Sequence, residues 1–386
     1  LRDKGACFGA KFGWERANWF APDGVEPKDV PSFGEPNWMP HSAEEHRACR
    51  EQAILIDQSS FAKYVLVGKD AQQVLTRACP CRPDFKPFST KYTQILNEDG
   101  GIACDLTLTR ISDNEFYIVT GTGFAIHDFE EIRSRIRPDQ DAHLIDITSA
   151  YAVLVVMGPS SRGLLSSVAQ GDFAKEAFPF GACREVMIAG APVRAMRVSF
   201  VGELGWELHV PSEYATSVYD ALFDQSEEWG LRDAGYRSLD SLRLEKGNRL
   251  WGVELSPDYN PFEAGLGGFV AINANQDFIG RDALIRQKSN PLARRLVCLT
   301  HDEPSARLLG GETILRNGER VGWLSSGGYG HSVGQNIGLG YVRNEHGVDD
   351  QYLGAGKYEL EVRNQIVPAR LHLQALYDPD NLKLRS

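Results

Sequence analysis

Hydrophobic and polar positions change rhythm several times along this chain. Residues 62–67, 116–120 and 151–157 are runs of β-branched and aromatic side chains bounded by turn formers, the pattern of buried strands. Residues 197–200 and 206–210 alternate apolar with polar, as half-buried strands do, because successive side chains leave a strand on opposite faces. Apolar spacing of three and four predicts helices over residues 125–136, 212–228 and 238–246, with Pro138 stopping the first and Gly247 the last. Ser42-Ala43-Glu44-Glu45 fits a capping box opening a helix that runs to about Ala53. From about Arg294 short strand-like runs alternate with Asn317-Gly318, Ser326-Gly327-Gly328 and Gly338-Leu339-Gly340, predicting a separate small all-β domain. Residues 1–40, rich in Gly, Pro and aromatics, read as an extended arm that packs by its rings.

Length and charge narrow the function classes. With 386 residues, 42% of them hydrophobic, the chain can build two or three domains. Its net charge of −11 argues against non-specific binding to nucleic acid or to an anionic membrane surface. It also means that an anionic ligand must be held by local cations. No apolar run is long enough to span a bilayer. A first residue Leu1, with no charged-then-apolar leader after it, reads as a processed chain or a piece of a longer one. Seven scattered cysteines suit a reducing compartment, bacterial cytoplasm or mitochondrial matrix. The one close pair, Cys79 and Cys81, lacks C-x-x-C spacing and a second Cys/His pair, so no metal site is assigned.

Three segments could carry chemistry. Residues 92–108 read as strand, Asn97-Glu98-Asp99-Gly100-Gly101 turn, strand. Leu106 and Leu108 fall on one face of the second strand, Asp105 and Thr107 on the other; aspartate is depleted in strands. A solvated strand face explains Asp105 equally well. In residues 200–209, pairing Gly202 with Gly205 about Glu203-Leu204 sets Phe200 directly opposite Glu207, so ring and carboxylate share a face. That pair suits a flat heterocycle with a donor-rich edge, since a carboxylate accepts two parallel N–H bonds. A surface hairpin with a solvated glutamate is the plain alternative. In Asp240-Ser241-Leu242-Arg243-Leu244-Glu245-Lys246-Gly247 the aspartate and Arg243 stand three apart on a helix, which is the spacing of a local ion pair. No G-x-G-x-x-G turn, P-loop, H-E-x-x-H or Ser/His/Asp set is legible, so no FAD or NAD site is assigned to this chain.

Taken in order, these segments resemble the aminomethyltransferase family, the T-protein of glycine cleavage, over most of the chain. Asp57-Gln58-Ser59 is similar to its D-x-S motif, residues 97–105 to its N-E-x-G-G-I-x-x-D hairpin, and Met157-Gly158-Pro159 to its Q-G-P turn. Residues 200–207 resemble its Y-T-G-E-x-G-x-E hairpin, residues 240–247 its D-S-L-R-L-E-A-G helix, and Ser325-Ser326-Gly327 with residues 338–342 its C-terminal signatures. Gly13-Trp14-Glu15-Arg16 with Trp19-Phe20 is similar to the C-terminal halves of sarcosine and dimethylglycine dehydrogenases. The resemblance implies an α+β cloverleaf of three domains: a discontinuous first domain (41–60 and 145–255) after the 1–40 arm, a ferredoxin-like second (61–144), and a small β-barrel (290–386).

It further implies a tetrahydrofolate-dependent one-carbon transferase that takes carbon from an N-methyl amine such as sarcosine or dimethylglycine and yields 5,10-methylenetetrahydrofolate. FAD is then expected on a partner dehydrogenase domain or subunit, with neither nucleic acid nor membrane as partner. Asp105 matches the catalytic acidic residue beside the reactive edge of the folate, Glu207 the carboxylate that holds the pterin, and Tyr92, Thr107 and Phe200 other cofactor-binding positions. The family tyrosine is Phe200 here, its folate-contacting arginine falls at Leu239, and an asparagine common in that site falls at Gly121. Two other readings remain: a non-catalytic regulatory module similar to the regulatory subunit of pyruvate dehydrogenase phosphatase, and a stand-alone folate-dependent O- or S-demethylase.

Overall fold

The structure, a computed structural model, describes residues 1–32, 34–274 and 276–386. Three β-systems dominate it. A seven-stranded sheet runs in the order Ala169–Gln170, Cys183–Ile188, Ala191–Met196, Gly205–Pro211, Tyr151–Met157, Ala53–Asp57, Leu231–Asp233, antiparallel except for its last pair. A five-stranded antiparallel sheet runs Ser89–Leu96, Ile102–Arg110, Glu115–Thr120, Ala62–Val67, His143–Asp146. Its last strand thus ends two residues beyond the expected 144. Six strands between Arg294 and His372 close into a barrel, which removes exposed sheet edges.

Helices pack on both faces of the seven-stranded sheet and on one face of the five-stranded sheet. Leu154, Val156, Trp206 and Leu208 pack with Leu164, Leu165, Val218 and Leu222 of the helices Ser161–Val168 and Ala215–Phe223. On the opposite face, Ile54, Ile56, Val153 and Val155 pack with Ala48, Cys49, Leu239 and Leu242 of the helices Met39–Glu51 and Tyr236–Lys246. In the five-stranded sheet Cys104, Leu106 and Leu108 face Val74, Leu75 and Ile132 of two helices, Ala71–Ala78 and Ala125–Ser134. The alternating residues Asp105, Thr107 and Thr109 must therefore face the other way. That second face meets the seven-stranded sheet: Thr109 Oγ1 lies 3.2 Å from Met196 Sδ, and the Tyr117 hydroxyl 2.8 Å from His209 Nδ1.

Local chemistry explains the turns. Asn97 Oδ1 accepts from the amides of Asp99 and Gly101, and Gly100 takes φ +82°. At Gly101 a Cβ would meet the Pro257 carbonyl oxygen at 1.8 Å, so only glycine lets the segment after residue 250 approach. Gly247, at φ +70°, ends its helix in the left-handed cap that the sequence predicts.

Three expectations need correction. The first helix begins at Met39 rather than at a Ser42 cap: Ser42 is buried inside it, its hydroxyl bonded to the Met39 carbonyl. Residues 197–200 form no strand. The predicted 212–228 helix is two pieces, Ala215–Phe223 and Ser226–Trp229, after a 3-10 turn. The arm contains a hairpin, Ala6–Lys11 with Trp14–Phe20, anchored by fully buried Trp19 stacked 5.1 Å from His41. All seven cysteines are buried and free. No helix among the described residues is long and apolar enough to cross a membrane.

Candidate functional site

The strand register assembles one half of the site. Tyr92 pairs with Thr107 and Gln94 with Asp105, so these four side chains share the face turned toward the seven-stranded sheet. The Tyr92 hydroxyl donates to Asp105 Oδ2 at 3.0 Å. Residues 250–270, unassigned by periodicity, bring further aromatics here. Phe269 meets the Tyr92 ring edge-on at 5.0 Å. Trp251 Nε1 donates to the Ile102 carbonyl at 3.0 Å, and its ring contacts Phe124 at 4.5 Å and His127 at 5.2 Å.

Asp105 keeps some contact with solvent yet sits deep in protein. Burial raises its pKa from 3.8 to about 7; the Tyr92 hydroxyl opposes the rise, and the charge of Asp128 adds to it. Asp128 is itself buried, with its pKa raised by burial; it binds the Thr120 hydroxyl and His127 Nδ1, the latter at 2.9 Å. Near neutral pH Asp105 is thus divided between acid and carboxylate, the condition a proton-transfer group needs. Beside it Gln94 is fully buried; its amide acts on the Tyr92 hydroxyl but makes no hydrogen bond of good geometry. An unpaired buried amide is costly, so this spot calls for a polar guest.

Glu207 stands on the facing sheet. It pairs with Met196 on one side and Val155 on the other, and its side chain is 15% exposed. Because Met196 receives Thr109 from the Asp105 strand, Glu207 looks into the same inter-sheet space. His209, two residues on and on the same face, approaches Glu207 at 3.5 Å. Burial lowers the His209 pKa, so its ring is neutral at pH 7.

Phe200 departs from the expected geometry: it is not opposite Glu207. The connection is an eight-residue loop, 197–204, rather than a two-residue turn. Arg50 Nη1 binds the Val201 carbonyl at 2.8 Å, and Asn248 Nδ2 binds that of Phe200 at 2.5 Å, drawing the loop onto the two helices beneath. Phe200 packs there with Tyr236 against the cluster that contains Val155, the strand partner of Glu207. Tyr92, Asp105 and Thr107 therefore share one wall and Glu207 the facing one. No hydrogen bond joins Asp105 to Glu207 among the described residues. The Asp240–Arg243 pair is the local ion pair of 2.7 Å that its spacing predicts, with Arg243 also 3.3 Å from buried Glu254.

Sequence reasoning missed Gln94, Asp128 and Phe269. Asp128 had a signal: it stands four residues before core Ile132, on the buried stripe of its helix. Phe269 lies in an irregular segment, where periodicity is silent. Among the described residues, no group of three or more His, Cys, Asp or Glu could hold a metal ion.

Comparisons with known proteins agree with this architecture. Residues 1–274 match the family model described as the GCVT N-terminal domain, and residues 294–378 that of the glycine cleavage T-protein C-terminal barrel domain. The chain superposes on a crystal structure of glycine cleavage system aminomethyltransferase T from Bartonella henselae with TM-score 0.82, at 25% identity, covering 98% of this chain and 96% of that one. It is 37% identical to 4-methylaminobutanoate oxidase (formaldehyde-forming) of Paenarthrobacter nicotinovorans, over 100% of this chain and 46% of that protein. Human mitochondrial sarcosine dehydrogenase is 34% identical with the same coverages. The mouse mitochondrial pyruvate dehydrogenase phosphatase regulatory subunit is 30% identical, over 97% of this chain and 44% of that protein. The chain spans a little under half the length of these three relatives.

Proposed function

The chain belongs to the glycine cleavage T-protein family, and from that premise we propose that it is the tetrahydrofolate-dependent one-carbon transferase half of an N-methyl-amine-oxidising system. The observation that carries this reading is Asp105: a largely buried carboxyl bonded by the Tyr92 hydroxyl, its pKa raised by burial to about 7, on the face turned toward the sheet that bears Glu207. The orphaned Gln94 amide fits a polar ligand at this point. Glu207 would hold the donor-rich edge of the pterin, Tyr92 and Thr107 would line it, and Phe200 would pack nearby. Tetrahydrofolate, when bound, would supply the two amine nitrogens that take a carbon at the formaldehyde level, giving 5,10-methylenetetrahydrofolate and releasing the demethylated amine (from an iminium) or water (from formaldehyde). Asp105 as carboxylate stabilises a neighbouring cation and accepts its proton; as acid it returns one. A positioned group of this kind contributes about 10²–10⁴-fold in rate.

Relatives named as an oxidase and as a dehydrogenase of N-methyl amines, of which the chain matches under half, support a flavin-bearing partner domain or subunit that delivers the carbon. Buried free thiols and mitochondrial relatives support a reducing compartment. The relative named as a phosphatase regulatory subunit favours a second reading, a non-catalytic module. Anaerobic calorimetric titration with tetrahydrofolate decides between them. Micromolar, stoichiometric binding that Glu207→Gln weakens is expected; no heat at high ligand concentration would leave only the regulatory reading.

A further inference from the structure

A chain of net charge −11 repels anions at long range, so a bound carboxylate needs its own cation. Around the cleft, most cations are already engaged. Arg243 is held by Asp240 and Glu254, Lys63 by the carbonyls of Ser59 and Tyr151, and Arg16 lies flat on the Tyr236 ring at 3.7 Å. Arg249 differs. It follows the Gly247 helix stop, and its Nε donates to the Ala264 carbonyl at 3.1 Å. Its two terminal nitrogens have no hydrogen-bond partner, and no carboxylate lies within ion-pair distance of them among the described residues. Even Glu254, close enough to act on it, is taken up by Arg243, the Leu250 amide and Ser326.

The guanidinium is nonetheless accommodated with care. Gly265 adopts φ +70°, and a Cβ there would stand 2.8 Å from Arg249 Nη2. Like Asp105 the side chain sits deep in protein while keeping contact with solvent; burial lowers its pKa. Its charge reaches the hydroxyl of Tyr92, the residue that orients Asp105, and that of barrel Tyr341. A desolvated guanidinium with a free two-pronged end matches a carboxylate, which it can bind through two parallel N–H bonds.

We propose that Arg249 is the carboxylate-binding residue of this site, held through its Nε by the Ala264 carbonyl with its terminal N–H groups free to clamp an anionic ligand. The inference rests on the folate reading above. Two ligands there carry the required group: the glutamate end of tetrahydrofolate, and the small N-methyl amino acid from which the carbon derives.

The test is anaerobic calorimetry on the purified protein and its Arg249→Gln and Arg249→Lys variants. The probes are tetrahydrofolate, 6-methyltetrahydropterin (which lacks the glutamate), and, on the folate-loaded protein, N-methylglycine and its amide. Removing one member of a buried charge pair weakens binding by roughly 30-fold or more. If the glutamate end is the ligand, Arg249→Gln weakens tetrahydrofolate by that factor and leaves the pterin unchanged, while Arg249→Lys recovers part of the loss. If the amino acid is the ligand, folate affinity holds, N-methylglycine weakens and its amide does not. Equal losses for tetrahydrofolate and the truncated pterin overturn the inference, because the arginine would then only support the pocket; so does no change with any probe. Failure of the parent protein to bind tetrahydrofolate removes the folate reading itself, a result distinct from normal parent binding that the variants leave unaltered.

Discussion

Replacing Asp105 with asparagine should stabilise the unliganded protein while disabling it, and the stabilisation should depend on pH. In an unfolded chain the carboxyl ionises near 3.8; in the fold it resists ionisation up to about 7. Between those values the unfolded state sheds its proton first, so the parent loses stability as pH rises through this window and levels off above it. The gap corresponds to roughly 4 kcal/mol as a ceiling, and solvent contact with the cleft reduces the effect to about half of that. Asparagine never ionises and can still accept from Tyr92, so the variant is spared the loss. Urea unfolding of both proteins at pH 5 and pH 8 isolates the contribution, because Glu45 and Asp233, whose pKa values are raised to about 7 and about 6, act equally in both. Part of the loss is already complete at pH 5, so the variant's advantage should be roughly 1 kcal/mol larger at pH 8 than at pH 5. The same advantage at both values would refute a buried, reluctant Asp105. Folate binding should survive the substitution, and single-turnover transfer should slow by about 10²–10⁴-fold.

Glu207→Gln places a donor where the pterin edge also donates, and tetrahydrofolate affinity should fall by roughly 2–4 kcal/mol; an unchanged dissociation constant by calorimetry would take Glu207 out of the site. Tyr92→Phe removes the one side-chain hydrogen bond that favours ionised Asp105, so the acid limb of the transfer rate against pH should move upward; a limb that stays in place assigns the titration elsewhere. Gly101→Ala drives a methyl into the Pro257 carbonyl and should cost about 2–4 kcal/mol of stability with displacement of the aromatic wall, read as a lowered midpoint of unfolding and a changed tryptophan emission from Trp251.

Much of this protein is written locally. A strand turns its side chains to alternate faces, so the order Cys104, Asp105, Leu106, Thr107, Leu108, Thr109 by itself committed Asp105 and Thr107 to the wall opposite the helix-covered core. Asn97 and the two glycines after it specified the turn, and Gly247 the helix stop, through backbone conformations that few other residues adopt. Strand register and burial were decided elsewhere. Glu207 sits across from Met196 and not Phe200 because Arg50 and Asn248, far away in the chain, hold the carbonyls of the intervening loop. Ser42 lies inside a helix that starts three residues earlier, its buried hydroxyl bonded back to the Met39 carbonyl instead of capping a helix end. The unpaired end of Arg249, the Asp128 charge beside Asp105 and the Phe269 ring on Tyr92 follow from how separate segments pack, and periodicity, which reports only a residue's own element, carries no record of what that packing brings opposite.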